Sequence, residues 1–292
     1  MSDKPTPDWQ DRWDLLQRYR FIEIIALWEG RLTTNHLCNA FGIGRQLASK
    51  LINTYNNEVG VNNLILDTKL KGYRPAESFS PVICRGVIDE YLNLLSQYQT
   101  LDSNTTIVAA QNTQIESIVP PLRQVNPDFV RPILEAARQK MRVEIQYTSL
   151  SQPEPRDRMI APHTLVFNGY RWHVRAFCEE SQSFKDFLLS RMTDISEITL
   201  KATKLESDDS AWNTFVDLVI VPDPRLSAAQ RKVIENDFAM REGKLSINTR
   251  ATLVSYYLQL LRIDKATPHN IPTAQQIILQ NRNELTEWIL PD

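Results

Sequence analysis

Hydrophobic positions near the amino terminus repeat with the period of a helix. Trp13, Leu16 and Ile24 follow three- and four-residue spacing or its multiples, which places them on one helical face. Gly30 then interrupts the pattern, as glycine commonly does after a helix. The sequence therefore predicts a helix over residues 9–28.

Two shorter helices are predicted on either side of a glycine turn. Thr33 or Thr34 can cap the first helix, which runs to Phe41. Gly42-Ile43-Gly44 forms the turn, and the second helix covers residues 45–56. Two helices joined in this way form a helix-turn-helix, in which the second helix reads DNA. An αα-hairpin in a helical domain is the structural alternative.

The second helix of this pair presents side chains that suit nucleic acid. Its buried face is predicted to consist of Leu47, Leu51, Ile52 and Tyr55. The opposite side carries residue types that bond phosphates or base edges. The predicted DNA-binding residues on this helix are Arg45, Gln46, Ser49, Lys50 and Asn53.

A two-stranded wing is predicted after this helix. Residues 62–67 and 71–74 are expected to form strands joined by a turn at residues 68–70. Basic residues on the wing would lie beside the DNA backbone. They complete the predicted DNA-binding set with Lys69, Lys71 and Arg74. Six Lys and Arg residues stand against two acids over residues 31–76, while the whole chain carries a net charge of -2.

Strict alternation dominates the centre of the chain. Residues 164–167, 170–178 and 184–189 are predicted as strands, with Asn168-Gly169 as a tight type I′ turn. In the middle strand, a period of two separates two sets of side chains onto opposite faces. The set predicted to face the core is Tyr170, Trp172, Val174 and Ala176, and the other is Arg171, His173, Arg175 and Phe177. The basic face suits an anionic ligand, and a solvated outer face is the alternative.

The stretch GYRWHVRAF and the downstream FLLSRM resemble the core of the WYL domain of bacterial transcription regulators. The Trp-Tyr-Leu run that names this family stands here as Trp172-His173-Val174. Pro162-His163 and Leu189-Ser190-Arg191 also match the family pattern. The resemblance implies a small Sm-like β-barrel over residues 128–204, closed by a strand at residues 195–202.

The resemblance also implies a regulatory pocket with basic and polar residues. Arginine can hold a phosphate through two hydrogen bonds, and Ser, Tyr and His add directional bonds. We therefore expect a nucleotide or oligonucleotide effector. For each basic residue, an ion pair with Glu144, Asp186 or another neighbour is the alternative. The predicted ligand-binding residues are Tyr147, Ser149, His163, Arg171, His173, Arg175 and Arg191.

The predicted fold class is α+β, with a winged helix-turn-helix, the Sm-like WYL barrel and a small α/β dimerisation domain. The boundaries expected for these parts are residues 1–80 for the winged helix, 81–127 for a helical linker, 128–204 for the WYL domain and 205–292 for the C-terminal extension. This last part resembles the extension that often follows WYL domains and helps them to dimerise. It is predicted to contain a strand, a helix, a hairpin around Glu242-Gly243, a helix over residues 249–262 and a short helix near residues 274–288.

Several classes of protein are disfavoured by the composition. No apolar run reaches the roughly 18 residues of a membrane span, and the amino terminus lacks the apolar core of a signal peptide. Cys38, Cys84 and Cys178 are widely separated, so we expect neither a metal centre nor a disulfide framework, in a reducing cytoplasm. Nucleophile-elbow, phosphate-loop and zinc-ligand spacings are absent from the sequence. An enzyme and a cofactor are therefore not expected.

These predictions combine into a ligand-responsive, homodimeric repressor that binds an inverted repeat in double-stranded DNA. The layout most resembles the WYL regulators of phage-defence operons, such as those of BREX systems. Two other functions stay open. One is an accessory nucleic-acid-binding protein that modulates a nuclease, and the other is a ligand-dependent activator.

Overall fold

The chain divides into two compact units, Met1–Val119 and Pro120–Asp292. The computed structural model describes residues 12–101, 121, 123–196, 200–265 and 267–289, with the backbone alone for 97–101. The predicted helix start at residues 9–11 and much of the predicted linker, residues 102–120 and 122, lie outside the described residues. Within the described ranges, no helix is both long and apolar enough to cross a membrane.

The first unit contains the predicted helix-turn-helix and wing. Its elements are α1 (Trp13–Glu29), α2 (Thr34–Phe41), α3 (Arg45–Thr54), β1 (Leu64–Asp67), β2 (Gly72–Pro75) and α4 (Ile88–Leu101). The strands pair antiparallel, and α3 continues into a π-helical turn at Tyr55–Val59. Gly30 and Gly42 end α1 and α2 with φ angles of 66° and 62°, a left-handed conformation that glycine adopts without steric cost.

The core face of α3 differs by one residue from the prediction. Ala48, Ile52 and Tyr55 are fully buried, whereas Leu47 is 42% exposed. Three- and four-residue steps connect the buried positions, and Leu47 is rotated from Ala48 by about 100° around the helix. The prediction that Leu47 faces the core is therefore wrong, and the small Ala48 permits close packing at that position.

A buried carboxylate fixes the path of the chain after the wing. Glu23 is fully buried on α1 and accepts hydrogen bonds from the backbone N–H groups of Val82, Ile83 and Cys84 at 2.7–2.9 Å. It also accepts one from the Tyr55 hydroxyl at 3.0 Å. These bonds satisfy a buried charge that would otherwise be costly.

The predicted helix over residues 82–99 starts later, at Ile88, because the preceding backbone is bound to Glu23. Leu95 of α4 is buried in the core of the first unit, and Tyr91 and Leu94 pack partly against it. Thus α4 belongs to the packed core of the winged-helix unit.

The second unit begins with a helix on an antiparallel sheet. Its first elements are α5 (Pro127–Gln139), β3 (Met141–Tyr147), β4 (Arg156–Phe167), β5 (Trp172–Cys178), β6 (Ser183–Leu188), β7 (Met192–Ile195) and β8 (Leu200–Lys201). The strand order is β6-β5-β4-β3-β7, with β8 also paired to β3. Ile133 and Ala136 of α5 share a buried core with Val143, Ile145 and Val174 of the sheet.

A closed barrel is not supported, and this part of the fold prediction is corrected. In the described residues, no ladder joins β6 to β7 at the two ends of the sheet. β7 has only four residues, and it pairs with β3 across a register shift between Gln146 and Tyr147. The sheet is therefore open, and the predicted closing strand over residues 195–202 is represented by β8 and the end of β7.

The turn between β4 and β5 is longer than the predicted two-residue type I′ turn. Gly169 has a φ of 87°, but Asn168 does not adopt a positive φ. Instead, Asn168 Oδ1 accepts hydrogen bonds from the backbone N–H groups of Tyr170 and Arg171, at 3.0 and 2.9 Å. The asparagine side chain thus closes a four-residue loop and replaces the second left-handed residue.

The C-terminal part of the second unit packs a three-stranded sheet against helices. Its elements are α6 (Ser210–Asn213), β9 (Phe215–Pro222), α7 (Ala228–Asp237), β10 (Leu245–Arg250), α8 (Val254–Leu260), α9 (Pro272–Gln275) and β11 (Ile277–Leu279). The strand order is β10-β9-β11. Ser227 caps α7 through a reciprocal pair of bonds with Gln230.

Two C-terminal predictions are right only in part. The chain turns at Glu242-Gly243 with an antiparallel bridge between Arg241 and Lys244, but β10 pairs with β9 and not with the preceding segment. Of the short helix predicted near residues 274–288, Arg282–Trp288 form a 3-10 helix, whereas Ile277–Leu279 form β11 and pair with the other edge of β9. Leu218 and Ile220 of β9 are fully buried, and a strand this apolar is favoured at the centre of a sheet.

Substitution of Glu23 by Gln is expected to destabilise the winged-helix unit by about 2–3 kcal/mol. An amide offers one acceptor oxygen, so two of the buried donors around Glu23 would face an NH₂ group. Urea denaturation measures the effect, with the exposed Glu77→Gln as matched control. Equal unfolding midpoints in the two variants would show that the carboxylate contributes no specific stability.

Candidate DNA-reading surface and effector site

The solvent-facing side of α3 carries the predicted DNA-reading residues. Arg45, Gln46, Lys50 and Asn53 are exposed, and Ser49 is half-buried. They alternate along the helix with the buried positions that hold α3 in the core. Because the same helix is anchored on one side and free on the other, its polar side can enter a major groove.

Hydrogen bonds within the first unit hold the turn of the wing in place. Asp67 Oδ1 accepts hydrogen bonds from the backbone N–H groups of Lys69 and Leu70, at 2.9 and 3.0 Å. Arg31, which precedes α2, donates to the carbonyl oxygen of Leu70 at 2.7 Å. Lys69 and Lys71 remain exposed. Two cationic side chains are therefore presented on a turn whose backbone is held from both ends.

Contacts also connect the wing to the reading helix. The Tyr73 hydroxyl of β2 donates to Asn53 Oδ1 at 3.3 Å, so this Asn is partly engaged. Arg74 lies 3.6 Å from Asp67 and donates to the carbonyl oxygen of Pro75. The structure brings the eight predicted DNA-binding residues onto α3 and the wing, but Arg74 and Asn53 have partners within the protein.

Strand β5 is buried on both faces, which the alternation alone did not predict. Val174 and Ala176 face the core under α5. On the other face, His173, Arg175 and Phe177 are also buried. This basic face is covered by the C-terminal part of the unit, so the alternative of a solvated outer face is wrong.

Arg175 is held by two carboxylates. Its Nε and Nη2 atoms donate to Asp209 at 2.8 and 3.2 Å, and Nη1 donates to Asp186 at 3.1 Å. Burial opposes ionisation of Asp209, but the hydrogen bonds from Arg175 and the Trp212 N–H, together with the positive charge of Arg175, outweigh it and hold the pKa of Asp209 below its usual value. The predicted alternative of an ion pair with Asp186 is confirmed for Arg175, whose ligand role stays a prediction.

His163 extends this buried network. Its Nε2 lies 3.4 Å from Asp209, its Nδ1 lies 2.9 Å from the Thr164 hydroxyl, and its ring packs edge-on against Phe184 and Trp212. Burial lowers the pKa of His163, although Asp209 opposes this effect. His163 therefore acts in this structure as a packed, neutral contact to the C-terminal segment.

His173 meets the C-terminal domain through Tyr256 of α8. The two rings lie 5.0 Å apart, with the Tyr256 hydroxyl 3.5 Å from His173 Nδ1. That hydroxyl donates to Asp186 at 2.7 Å. Burial lowers the pKa of His173 to about 4, with Asp186 opposing the shift and Arg171 and Arg191 adding to it.

Two buried side-chain nitrogens near this contact have no hydrogen-bond partner in the described residues. In the part of the chain that the structure describes, neither Arg171 Nε nor His173 Nε2 has a hydrogen-bond partner. Such atoms are rare in folded proteins. We refer to Arg171, His173 and Arg191, beside Tyr256, as the effector cluster, and the ligand role of these residues stays a prediction.

Tyr147 and Ser149 have local roles. The Tyr147 hydroxyl accepts a hydrogen bond from the Leu188 N–H at 3.2 Å, and the ring packs edge-on against Phe187. Ser149 closes a turn by accepting from the Gln152 N–H at 3.0 Å. The described residues contain no group of three His, Cys, Asp or Glu side chains arranged to hold a metal.

Sequence reasoning did not identify the partners that the C-terminal domain supplies. Asp209 caps α6 by accepting from the Trp212 N–H, and this capping pattern is visible in the sequence. Its pairing with Arg175, 34 positions earlier, is not. Tyr256 lies in an amphipathic helix and carries no local signal of its contact with His173.

Three family models match the chain in this order. The BrxR transcriptional regulator winged helix-turn-helix domain matches residues 14–97. The WYL domain matches residues 128–197, and the BrxR transcriptional regulator C-terminal dimerization domain matches residues 215–285. A winged helix, a WYL domain and a dimerisation domain are therefore present, with mixed helix and sheet content.

Full-length relatives decide the family. A Pseudomonas aeruginosa protein named DNA-binding transcriptional repressor CapW is 35% identical, over 99% of this chain and 97% of its own length. The chain belongs to the CapW family. CapW proteins of Escherichia coli strain KTE188 and Stenotrophomonas maltophilia are 32% and 30% identical, over 94% and 96% of this chain and 91% and 94% of their own lengths. These CapW names describe repressors, a non-enzymatic role.

In this CapW-family chain, Asp209 lies between the regions matched by the WYL and dimerization models. The segment that joins the two domains is therefore also the segment that neutralises Arg175. The contacts of Asp209 and Tyr256 connect the WYL domain to the C-terminal part of the chain.

Substitution of Asp209 by Asn is expected to cost about 3 kcal/mol of stability in the second unit, because it leaves a buried guanidinium short of one charge. The exposed Asp157→Asn is the matched control and should change stability by less than about 0.5 kcal/mol. Urea denaturation of both variants makes the comparison. A loss no larger in Asp209→Asn than in the control would contradict a stabilising role for the ion pair.

Proposed function

We propose that this CapW-family chain is a homodimeric repressor that binds an inverted repeat and is released by an anionic effector. The observation that carries the DNA-binding part is the exposed polar side of α3 beside a braced, cationic wing. The names of its relatives, DNA-binding transcriptional repressors, support the same activity.

An inverted repeat follows from the symmetry of a dimer. Two identical chains related by a two-fold axis present two identical reading helices. Such helices fit half-sites of opposite orientation, about one helical turn or a multiple apart. The family's C-terminal dimerization domain supports self-association of this chain, and the proposed operator is therefore palindromic double-stranded DNA.

The effector cluster favours an anion. The Arg171 Nε–H can donate to a phosphate oxygen, and Arg191 adds a positive charge near His173. A phosphate-bearing nucleotide or oligonucleotide has the required chemistry. We assign no ligand contact to Arg175, because Asp186 and Asp209 already take its three described donors.

Effector binding is coupled to the C-terminal domain through His173. With a pKa of about 4, this ring is neutral at neutral pH. A phosphate beside Nε2 would stabilise the protonated ring, so binding would take up a proton. The change in charge would act directly on Tyr256 and Asp186. An effector that favours one arrangement of this junction shifts the dimer toward it and changes DNA affinity.

The genes that this repressor controls are proposed to form a phage-defence operon. The similarity to BrxR regulators and CapW repressors supports this proposal. An inverted repeat upstream of a neighbouring defence gene would identify the operator, and protection of that repeat in a footprint would test it.

Substitution of Arg45 and Lys50 together by Ala is expected to weaken operator binding by about 100-fold, because base and phosphate contacts of roughly 1–3 kcal/mol are lost. A gel shift on the chain's own upstream region measures this. The control Arg85→Ala/Arg131→Ala removes the same charge from exposed positions outside α3 and the wing. Equal weakening by both pairs, or no retardation by the wild type at low salt, would contradict the reading surface.

Substitution of Arg171 and Arg191 together by Gln is expected to keep operator binding and abolish release by a 5′-phosphorylated oligonucleotide. In the wild type, the oligonucleotide should raise the pKa of His173 from about 4, so its binding should tighten as the pH falls from this raised pKa toward about pH 4. A gel shift measures release from the operator, and NMR of the histidine ring signals measures the pKa of His173. With Arg156→Gln, an exposed control, release should persist, and release in the double variant would place the effector elsewhere.

A further inference from the structure

Four large apolar side chains form an exposed surface at the turn between β4 and β5. Phe167 is 52% exposed, Tyr170 47%, Trp172 48% and Leu260 of α8 62%. We refer to Phe167, Tyr170, Trp172 and Leu260 as the aromatic patch. Tyr170 and Trp172 were predicted to face the core, and the structure places them in solvent instead.

The aromatic patch is preassembled. Phe167 and Trp172 are cross-strand partners in the β4–β5 ladder, and their ring centroids lie 4.8 Å apart at an interplanar angle of 31°. The guanidinium of Arg123 lies 4.7 Å from the centre of the Tyr170 ring. Side chains that already hold one another in place lose little conformational freedom when a partner binds.

A close contact joins the aromatic patch to the C-terminal domain. A Cβ atom at Gly169 would lie 3.2 Å from Leu260 Cδ1, so the turn packs directly beside the end of α8. The absence of a side chain at Gly169, and its φ of 87°, permit this approach. Residues from the WYL domain and the dimerisation domain thus form one continuous surface.

The composition of this surface is that of a protein interface. Tyr, Trp and Phe are enriched at the centres of interfaces, and they often dominate the binding free energy. The rings of Phe167 and Trp172 present apolar area to solvent, and a binding partner would bury that area. The continuity with α8, which belongs to the matched dimerization domain, indicates which partner is favoured.

We propose that the aromatic patch packs against a second copy of this chain and extends the dimer interface from the C-terminal domain onto the WYL domain. This inference rests on the homodimer of the proposed function. It also places the dimer contact and the proposed effector contact on one strand, because Trp172 is adjacent to His173. Effector contacts at His173 and dimer contacts at Trp172 would then be transmitted through the same backbone.

Dilution experiments on the full-length chain test the proposal. The variant Phe167→Ser/Trp172→Ser is expected to raise the dimer dissociation constant by about tenfold or more, measured by sedimentation velocity. Leu150→Ser/Leu200→Ser is the matched control, since these two leucines are 86% and 47% exposed outside the patch. Circular dichroism and thermal unfolding confirm that both variants are folded.

Oxidation of Trp172 in the wild type supplies a second readout that needs no substitution. Hydroxyl-radical footprinting should show protection of Trp172 in the dimer and loss of protection on dilution to monomers. Protection that persists in the monomer would mean that the patch is covered within one chain, which overturns the proposal. An accessible Trp172 in a stable dimer, or equal dissociation constants in variant and control, would also overturn it. A wild type that stays monomeric at every concentration would instead refute the homodimer itself.

Discussion

The guanidinium of Arg175 is the buried charge on which the arrangement of the second unit depends. It lies in the middle of β5, where a cation without partners would be very costly. Two carboxylates offset that cost, one from β6 and one from the segment after the WYL domain. Because Asp209 pairs with Arg175, the chain that leaves the WYL domain crosses the basic face of β5. His163 and Trp212 then pack around the same carboxylate. Neutralisation of Arg175 therefore determines how the WYL domain and the C-terminal part of the unit are joined.

The basic residues of β5 and of the turn before it have two different environments. One of them is paired with carboxylates, and two others have nitrogens without hydrogen-bond partners in the described residues. Arg175 is neutralised, whereas His173 Nε2 and Arg171 Nε have no partner in the described residues. The transition between the two environments occurs at Tyr256 and Asp186, which touch both. The unpaired nitrogens of the proposed effector cluster therefore lie beside the contacts that join the WYL domain to the C-terminal part of the chain.

Local patterns were sufficient for much of the fold. The glycines after α1 and α2 and the wing strands are predicted from neighbouring residues. The predictions failed where contacts between residues far apart in the sequence determine the local structure. Residues 82–87 are not helical because Glu23, about 60 positions earlier, binds their backbone, and β11 forms because β9 needs a second partner. Alternation separates the two faces of β5, but it cannot show that Trp172, at the end of the strand, is exposed, or that Asp209 of a later segment covers Arg175 on the other face.

Glu23 also determines which parts of the winged-helix unit are tied together. One carboxylate on α1 binds Tyr55, at the end of α3, and the backbone that leads into α4. Three separate segments of the chain therefore meet at a single buried side chain. A shift of the segment before α4 would disturb the same hydrogen bonds that hold the end of α3, so the two are expected to move together.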